Sequence, residues 1–262
     1  MIKLIETDIS EASLGFSDII TLKQGALFRL YGEDLGIFAS WKQITDKRLT
    51  AVIFSFAGAA SVSCTENADA EELKEFLRRI VGTRVYCSKK TAEILGGRVI
   101  CENTVMKFGG FEEKPKKYKN DVDTVSGAID YKLIYDILKS GSDGEIHLPR
   151  FEDWYVDFCH RVRHGGADAV LNDSGTAAAV ISLKDKHFAL VGGVCTRPEM
   201  RNHGEAKRCL SELLRKTGCE KPIFAIVGKG TEGFYEKCGF HPSSKYCLTE
   251  IDDTEGRNER VF

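Results

Sequence analysis

Six consecutive residues, Arg201 to Ala206, place a basic side chain and two small residues between an apolar segment and a predicted amphipathic helix. A helix start leaves backbone N–H groups without an intrahelical acceptor and carries a partial positive charge. Gly204 and Ala206 are small enough to let a phosphate group approach those N–H groups closely. The spacing therefore predicts a pyrophosphate-binding turn. An ordinary strand-to-helix turn, in which glycine supplies the bend, is an equally good interpretation of these six residues alone.

Two elements must position this turn. Residues 187–194 form an apolar run that predicts a buried strand. The helix after the turn is predicted from apolar residues that recur every three or four positions, namely Ala206, Cys209, Leu210, Leu213 and Leu214. Gly218 lies just beyond them, where a helix needs a left-handed closing residue. The turn lacks the Gly-Lys-Ser/Thr of a P-loop and the spacing of a dinucleotide-binding turn.

The rest of the second half alternates helices and strands around this segment. The pattern predicts helices over residues 131–138, 150–163 and 231–238, and strands over 167–171, 177–183, 187–196 and 222–227, with a final strand after residue 239. Short turns at residues 172–175 and 184–186 join the first three strands. These three strands are therefore predicted to form an antiparallel meander.

The turn and its surroundings resemble the GNAT superfamily of acyl-CoA-dependent N-acetyltransferases. Arg201-x-x-Gly204-x-Ala206 is similar to the R/Q-x-x-G-x-G/A signature of that family. The preceding Val194-x-Thr196-x-Pro198-Glu199 is similar to the lead-in of many members, and residues 233–240 resemble the family's YEKxGF helix. The two motifs stand in the expected order, and the resemblance covers roughly residues 126–262.

The resemblance implies acetyl-CoA as cosubstrate and no metal. It assigns the cofactor to the turn residues Arg201, Asn202, His203, Gly204, Glu205 and Ala206, and to backbone groups of Val194 and Thr196 that pair with the pantetheine arm. Many members carry an asparagine near the position of Gly228-Lys229-Gly230, so this chain departs from the family there. The acceptor would be the primary amine of a small molecule or a peptide.

Tyr235 matches the family's frequent general acid, although a buried core tyrosine would read the same way. A free tyrosine has a pKa of about 10 and a thiol about 8.5, so full proton transfer to the leaving thiolate is uphill by roughly 2 kcal/mol. A hydrogen bond to the departing sulfur is therefore sufficient. The sequence assigns no general base; the candidates by position are Glu152, Asp153, Asp157, His160, His164 and Glu199.

The first half repeats the same order of elements without the signature residues. Strands are predicted over residues 27–31, 36–41, 49–56, 59–64, 84–88 and 98–107, and helices over 69–81 and 91–95. The apolar stripe of the first helix is Leu73, Phe76, Leu77, Ile80 and Val81. Superposing the two stripes sets Ala68 at the place of Arg201 and Glu71 at that of Gly204, and carboxylates there would repel phosphate. An unrelated α+β domain is the alternative.

The predicted fold class is α/β (α+β), with two GNAT-like mixed-sheet units, each a mostly antiparallel sheet flanked by helices. Residues 1–123 are predicted to be a degenerate GNAT-like domain without a cofactor loop, and residues 124–262 the acetyl-CoA-binding catalytic domain. Residues 108–123, with paired glycines, a proline and dense mixed charge, are predicted to connect them.

Composition narrows the function classes. The chain has 262 residues, 42% of them hydrophobic, and a net charge of −2, which gives no footprint for nucleic acid. No apolar run approaches the roughly 18 residues of a membrane span, and the first residues lack a signal-peptide core, so we expect a cytoplasmic protein. Nine cysteines without a C-x-x-C are expected to be reduced. A non-catalytic CoA-binding or interaction module is the rival to an acetyltransferase, and a homodimer is compatible with either.

Overall fold

A computed structural model describes residues 1–5, 18–32, 36–111, 129–142, 148–218 and 220–251. The chain divides into two compact units, Met1–Asn103 with Lys245–Phe262, and Thr104–Ser244. The domain boundary predicted at residues 123/124 lies outside the described residues and stays a prediction. No helix in the described ranges is long and apolar enough to cross a membrane.

The first unit contains strands β1 to β5 and helices α1 to α3. Their bounds are β1 Ile2–Leu4, α1 Ile19–Tyr31, β2 Phe38–Thr45, β3 Arg48–Phe56, β4 Ala59–Cys64, α2 Ala70–Val81, β5 Arg84–Ser88 and α3 Lys89–Ile94. Strands β1 to β4 are antiparallel neighbours in chain order, and β4 pairs in parallel with β5. The later strand β6, Arg98–Phe108, begins in this unit, and β11, Phe240–Glu250, ends in it, where residues 246–250 pair antiparallel with β5.

The predicted strand over residues 27–31 is wrong, because these residues are the end of helix α1. Asp18 caps that helix by accepting a hydrogen bond from the Thr21 amide at 3.0 Å. The buried side of α1 includes the polar residues Thr21 and Gln24, and the Gln24 amide donates to the Ser40 hydroxyl at 3.3 Å. Because these polar residues share the buried side with Ile19, Ile20 and Leu27, the apolar periodicity is weak and does not predict a helix.

Helix α2 follows the prediction more closely. Its N-cap is Asp69, whose carboxylate accepts from the Glu72 amide at 3.0 Å, and Gly82 closes it with a positive φ of 86°. Leu73 and Leu77 are fully buried against β3, β4 and β5. Ile80, predicted on the same apolar stripe, is instead 46% exposed.

The second unit is the part of the chain that carries the predicted site. Its elements are α4 Tyr131–Gly141, α5 Phe151–Arg163, β7 Asp168–Leu171, β8 Ala177–Lys184, β9 Ala189–Thr196, α6 Glu205–Thr217, β10 Ile223–Val227 and α7 Glu232–Glu236. Strands β7, β8 and β9 form the predicted antiparallel meander. Strand β10 runs parallel to β9 and antiparallel to residues 104–107 of β6. The sheet order in this unit is therefore β6-β10-β9-β8-β7.

Helices cover both faces of this second sheet. On one face, α6 buries Cys209, Leu210, Leu213 and Leu214 against β8, β9 and β10. On the other face, α4 and α5 pack through an aromatic cluster against β7, β8 and Cys195 of β9. The site residues at the end of β9 are thus held between two packed layers.

The two units share one order of elements. In each, three antiparallel strands lead into a long amphipathic helix, a parallel strand, a short helix and a closing strand. Gly96 and Gly239 follow the two short helices with positive φ angles of 61° and 87°. The predicted two-unit mixed fold is therefore what the structure has. The strand that follows each short helix does not pair with the parallel strand of its own half. Strand β6, which follows α3, pairs with β10, and β11, which follows α7, pairs with β5.

Candidate functional site

Strands β9 and β10 separate at the middle of β9. Their parallel pairing joins residues 189–191 to residues 223–225 and goes no further among the described residues. Residues 226 and 227 of β10 continue to pair with β6 on their other side. Beyond Val191, the edge of β9 on the β10 side therefore has no paired strand among the described residues, and Val194 and Thr196 lie on this part of β9.

A β-bulge at Gly192 marks the point of separation. In the register of β8 and β9, Gly193 faces Val180 and Val191 faces Ile181, so Gly192 is an extra residue. Val191 and Val194 contact the same core cluster below α6, although residues three apart in a regular strand point to opposite faces. The bulge thus turns the last part of β9 by one residue.

Only glycine fits at position 192. A Cβ atom placed there would overlap the side chain of Ser182 on the neighbouring strand. Sequence reasoning did not single out this position, although two adjacent glycines, Gly192 and Gly193, inside an apolar strand are a recognised signal of a bulge.

The turn after β9 ends in an open helix start. A short 3-10 turn, Pro198–Met200, leads to Asn202 and Gly204, which both have positive φ angles, 66° and 79°. Gly204 is the N-cap of α6 and supplies no side-chain hydrogen bond to it. The first backbone N–H groups of α6, from Glu205 onward, therefore have no acceptor within the helix. A Cβ atom on Gly204 would meet nothing within 4 Å, so the turn lies open.

Arg201 fastens the turn to helix α4. Its guanidinium donates to the Gly141 carbonyl, the last residue of α4, at 3.1 Å. Gly141 allows the close approach, because a Cβ atom there would lie 2.9 Å from both the Cys195 Cβ and the Thr196 carbonyl oxygen. The Arg201 side chain thus joins the turn to the last residue of α4, which itself packs closely against the end of β9.

Tyr235 lies on α7, which follows β10. Its half-buried ring packs edge-on against Phe234 and Phe240, at centroid distances of 5.2 and 5.4 Å. Burial raises the pKa of the Tyr235 hydroxyl well above its ordinary value, so the group is protonated throughout the neutral range. A protonated phenol at this position can donate a hydrogen bond.

Comparison with known proteins identifies the domain that carries these features. A model of the Acetyltransferase (GNAT) family matches residues 131–240. Residues 131–240 are a GNAT domain. The family is one of acyltransferases, and the match includes the turn and Tyr235. No curated protein matches the chain.

The likeness of the fold extends beyond the GNAT domain. The chain is similar to a GCN5-related N-acetyltransferase from Sphaerobacter thermophilus, with 16% identity and a TM-score of 0.62 over 96% of this chain and 95% of that chain. It is also similar to a tandem GNAT protein from the clavulanic acid biosynthesis pathway, with 13% identity and a TM-score of 0.56 over 97% of this chain and 100% of that chain. A third similar structure is a GCN5-related N-acetyltransferase from Kribbella flavida, with 13% identity and a TM-score of 0.57 over 90% of this chain and 97% of that chain. The whole chain therefore has the fold of a tandem GNAT protein.

The first unit lacks the open helix start of the GNAT domain. There the Asp69 carboxylate accepts from the Glu72 amide, so the chain itself occupies the position that Gly204 leaves free in α6. Counting back four residues from the closing glycine of each unit sets Ala92 at the place of Tyr235. That the first half has no cofactor loop stays a prediction.

The general-base candidates of the GNAT domain are mostly engaged elsewhere. Asp153 accepts from Arg150 at 3.0 Å, and Asp157 is paired with Arg161. The Nδ1 atom of His164 lies 2.9 Å from the His160 carbonyl oxygen. Glu152 and Glu199 are exposed. The structure therefore singles out no base.

Cysteines and metal ligands add no second centre in the described ranges. The eight cysteines there are free, and all except Cys101 are buried. Among the residues that the structure describes, no three His, Cys, Asp or Glu side chains come together in a way that could hold a metal ion. Cys219 falls outside the described residues.

Proposed function

We propose that the GNAT domain transfers an acetyl group from acetyl-CoA to a primary amine by direct attack of the amine on the thioester. The observation that carries the proposal is a continuous path of backbone from β9 through the turn to the start of α6. The part of β9 that follows its pairing with β10, with Val194 and Thr196, runs through a short turn into a helix start that has no capping side chain. Such a path offers backbone groups to an extended amide chain and then N–H groups to a phosphate.

The residues of this path fit the two parts of the CoA molecule. Backbone groups of Val194 and Thr196 would pair with the amides of the pantetheine arm as an added strand does. The N–H groups between Asn202 and Ala206 would bind the pyrophosphate, favoured by the positive end of α6. Arg201 would support this turn through its bond to the α4 terminus.

The chemistry places three demands on the domain. The amine has to be neutral, and an alkyl amine of pKa about 10.4 is only about 0.04% neutral at pH 7. The carbonyl oxygen gains negative charge as the C–N bond forms, and a backbone N–H group of β9 beyond its pairing with β10 would stabilise that charge. The C–S bond then breaks, and Tyr235 would donate a hydrogen bond to the departing thiolate. The structure singles out no base, so we take solvent as the acceptor of the proton that the amine releases.

The proposal is tested by binding and turnover together. Acetyl-CoA is titrated calorimetrically into the full chain, and release of the CoA thiol is followed over a panel of small amines and peptides with free amino groups. Micromolar binding with amine-dependent thiol release and a matching acetylated product would support the proposal. Binding of acetyl-CoA without turnover on any amine would favour a non-catalytic CoA-binding module. No binding of acetyl-CoA, CoA or longer acyl-CoAs would refute both.

A further inference from the structure

A carboxylate stands where the proposed pyrophosphate site needs none. Glu205 is the first residue of α6, directly after Gly204. A carboxylate in the first turn of a helix is attracted by the same positive end that favours phosphate, and it repels a second anion there. The pyrophosphate site therefore requires that the Glu205 charge be held elsewhere.

The Glu205 side chain is bound to the turn between β7 and β8. Its Oε2 atom accepts from the Asn172 side-chain amide at 3.0 Å, and its Oε1 atom accepts from the Arg208 guanidinium at 2.7 Å. The side chain is only 16% exposed. Two donors thus hold the carboxylate on the β7–β8 side of the helix and partly offset its charge.

Asn172 is itself fixed in the orientation that this contact needs. It is 8% exposed, and its Oδ1 atom accepts from the backbone amides of Thr176 and Ala177 at 2.8 and 2.9 Å. Because those two amides can only donate, the oxygen has to face them and the nitrogen has to face Glu205. The orientation of the amide is therefore set by the turn, before any ligand binds.

We propose that Asn172 is a positioning residue for CoA binding, which acts by holding the Glu205 carboxylate away from the phosphate-binding N–H groups of α6. This inference rests on the proposed function, because it concerns the same cofactor turn. It adds Asn172, which lies 29 positions before Arg201 and outside the sequence motifs of the turn. Asn172 contributes nothing to the cofactor directly, and its effect passes through Glu205.

The test is a reciprocal exchange of donor and acceptor. Asn172→Asp keeps the oxygen that accepts from Thr176 and Ala177, so the turn is preserved, but it sets a second carboxylate against Glu205. Adding Glu205→Gln in the same chain restores the hydrogen bond with its direction reversed, because the new amide at position 205 can donate to the new carboxylate at position 172. We expect Asn172→Asp to weaken CoA binding about tenfold and the double variant to return within about threefold of the wild type. Binding of pantetheine, which has no phosphate, should change by less than twofold in either variant.

Two results would overturn the inference. One is a double variant that binds CoA as weakly as Asn172→Asp alone, and the other is an equal loss for pantetheine and CoA. Thermal unfolding without ligand separates this from the proposed function. Asn172→Asp should lower Tm and the added Glu205→Gln should restore it. A wild type that binds no CoA would then refute the proposed function, while the Tm recovery would still support the contact between Asn172 and Glu205. Absence of that recovery would refute the contact on which the inference rests.

Discussion

Gly204 allows the electrostatic role of the α6 start to be measured apart from its shape. Its φ of +79° favours glycine, and its Cβ direction is empty to 4 Å, so a new side chain there meets strain but no steric overlap. Gly204→Asp and Gly204→Asn add side chains of the same size to the same backbone conformation, which both residues tolerate better than most. The difference between the two variants is therefore the charge.

The magnitude follows from the exposure of the turn. Two unit charges about 4 Å apart interact by about 1 kcal/mol in water and about 4 kcal/mol near a protein surface with an effective dielectric of about 20. Gly204 is exposed, so we take an intermediate figure of about 2 kcal/mol. Gly204→Asp should then bind CoA about 30-fold more weakly than Gly204→Asn. The backbone strain, of order 1–2 kcal/mol, is common to both variants.

Calorimetric titration of CoA into the wild type and both variants measures this difference directly. Raising the salt concentration from about 0.05 to 0.5 M should shrink the gap between Asp and Asn, because exposed charges are screened. Equal affinities for the two variants at low salt would show that no phosphate binds at the start of α6. That result would contradict the assignment of the turn.

Three further predictions concern other parts of the GNAT domain. Tyr235→Phe should lower kcat about 100-fold with little change in CoA affinity, whereas Tyr135→Phe, which loses a hydroxyl that donates to a backbone carbonyl, should leave kcat unchanged in the same thiol-release assay. Gly192→Ala should lower the free energy of unfolding in urea by about 2 kcal/mol through its overlap with Ser182, and Ser182→Gly should recover part of that loss if the overlap is the cause. Asp168→Asn should cost about 1–2 kcal/mol at pH 7, because it accepts from lysines of β8 and α6. Burial raises the pKa of Asp168, but the two lysines outweigh it and the net pKa is lowered, so the stabilisation is present above about pH 4 and is lost as acid protonates the folded carboxylate; an undiminished difference in strong acid would contradict this.

The elements of the GNAT domain could be predicted from sequence because their periodicity is clear. Helix α6 was expected from its apolar stripe, and Cys209, Leu210, Leu213 and Leu214 are indeed buried. Helix α1 could not be recognised in the same way, since the polar residues Thr21 and Gln24 lie on its buried side and Gly25 is a poor helix former. A pattern of apolar residues indicates burial by apolar contact. Helix α1 is held partly by hydrogen bonds instead, so the pattern does not indicate it.

Strand pairing and side-chain partners could not be predicted from the sequence, for a different reason. Residues 104–107 of β6 were predicted as a strand, but an apolar strand can pair with either neighbour, and its pairing with β10 depends on the three-dimensional arrangement. The role of Asn172 was hidden likewise, because its contact with Glu205 joins residues 33 positions apart. The Arg201 signature was recognisable, yet its bond to the Gly141 carbonyl was not.

The two units differ mainly at the strand end and helix start where the proposed function places the cofactor. In the first unit, β4 and β5 pair over only two residues, and β9 and β10 in the second unit pair over three, so both parallel pairs end early. There the Cys64 amide, at the place of Cys195, donates to the Thr91 hydroxyl at 3.4 Å, and Asp69 occupies the start of α2. In the first unit, the Asp69 carboxylate and the Thr91 hydroxyl therefore hold backbone amides at the strand end and the helix start. Because the sheet and helices are otherwise alike, the difference resides in a few polar side chains at the strand ends, and on the proposed function those side chains would decide which unit holds a phosphate.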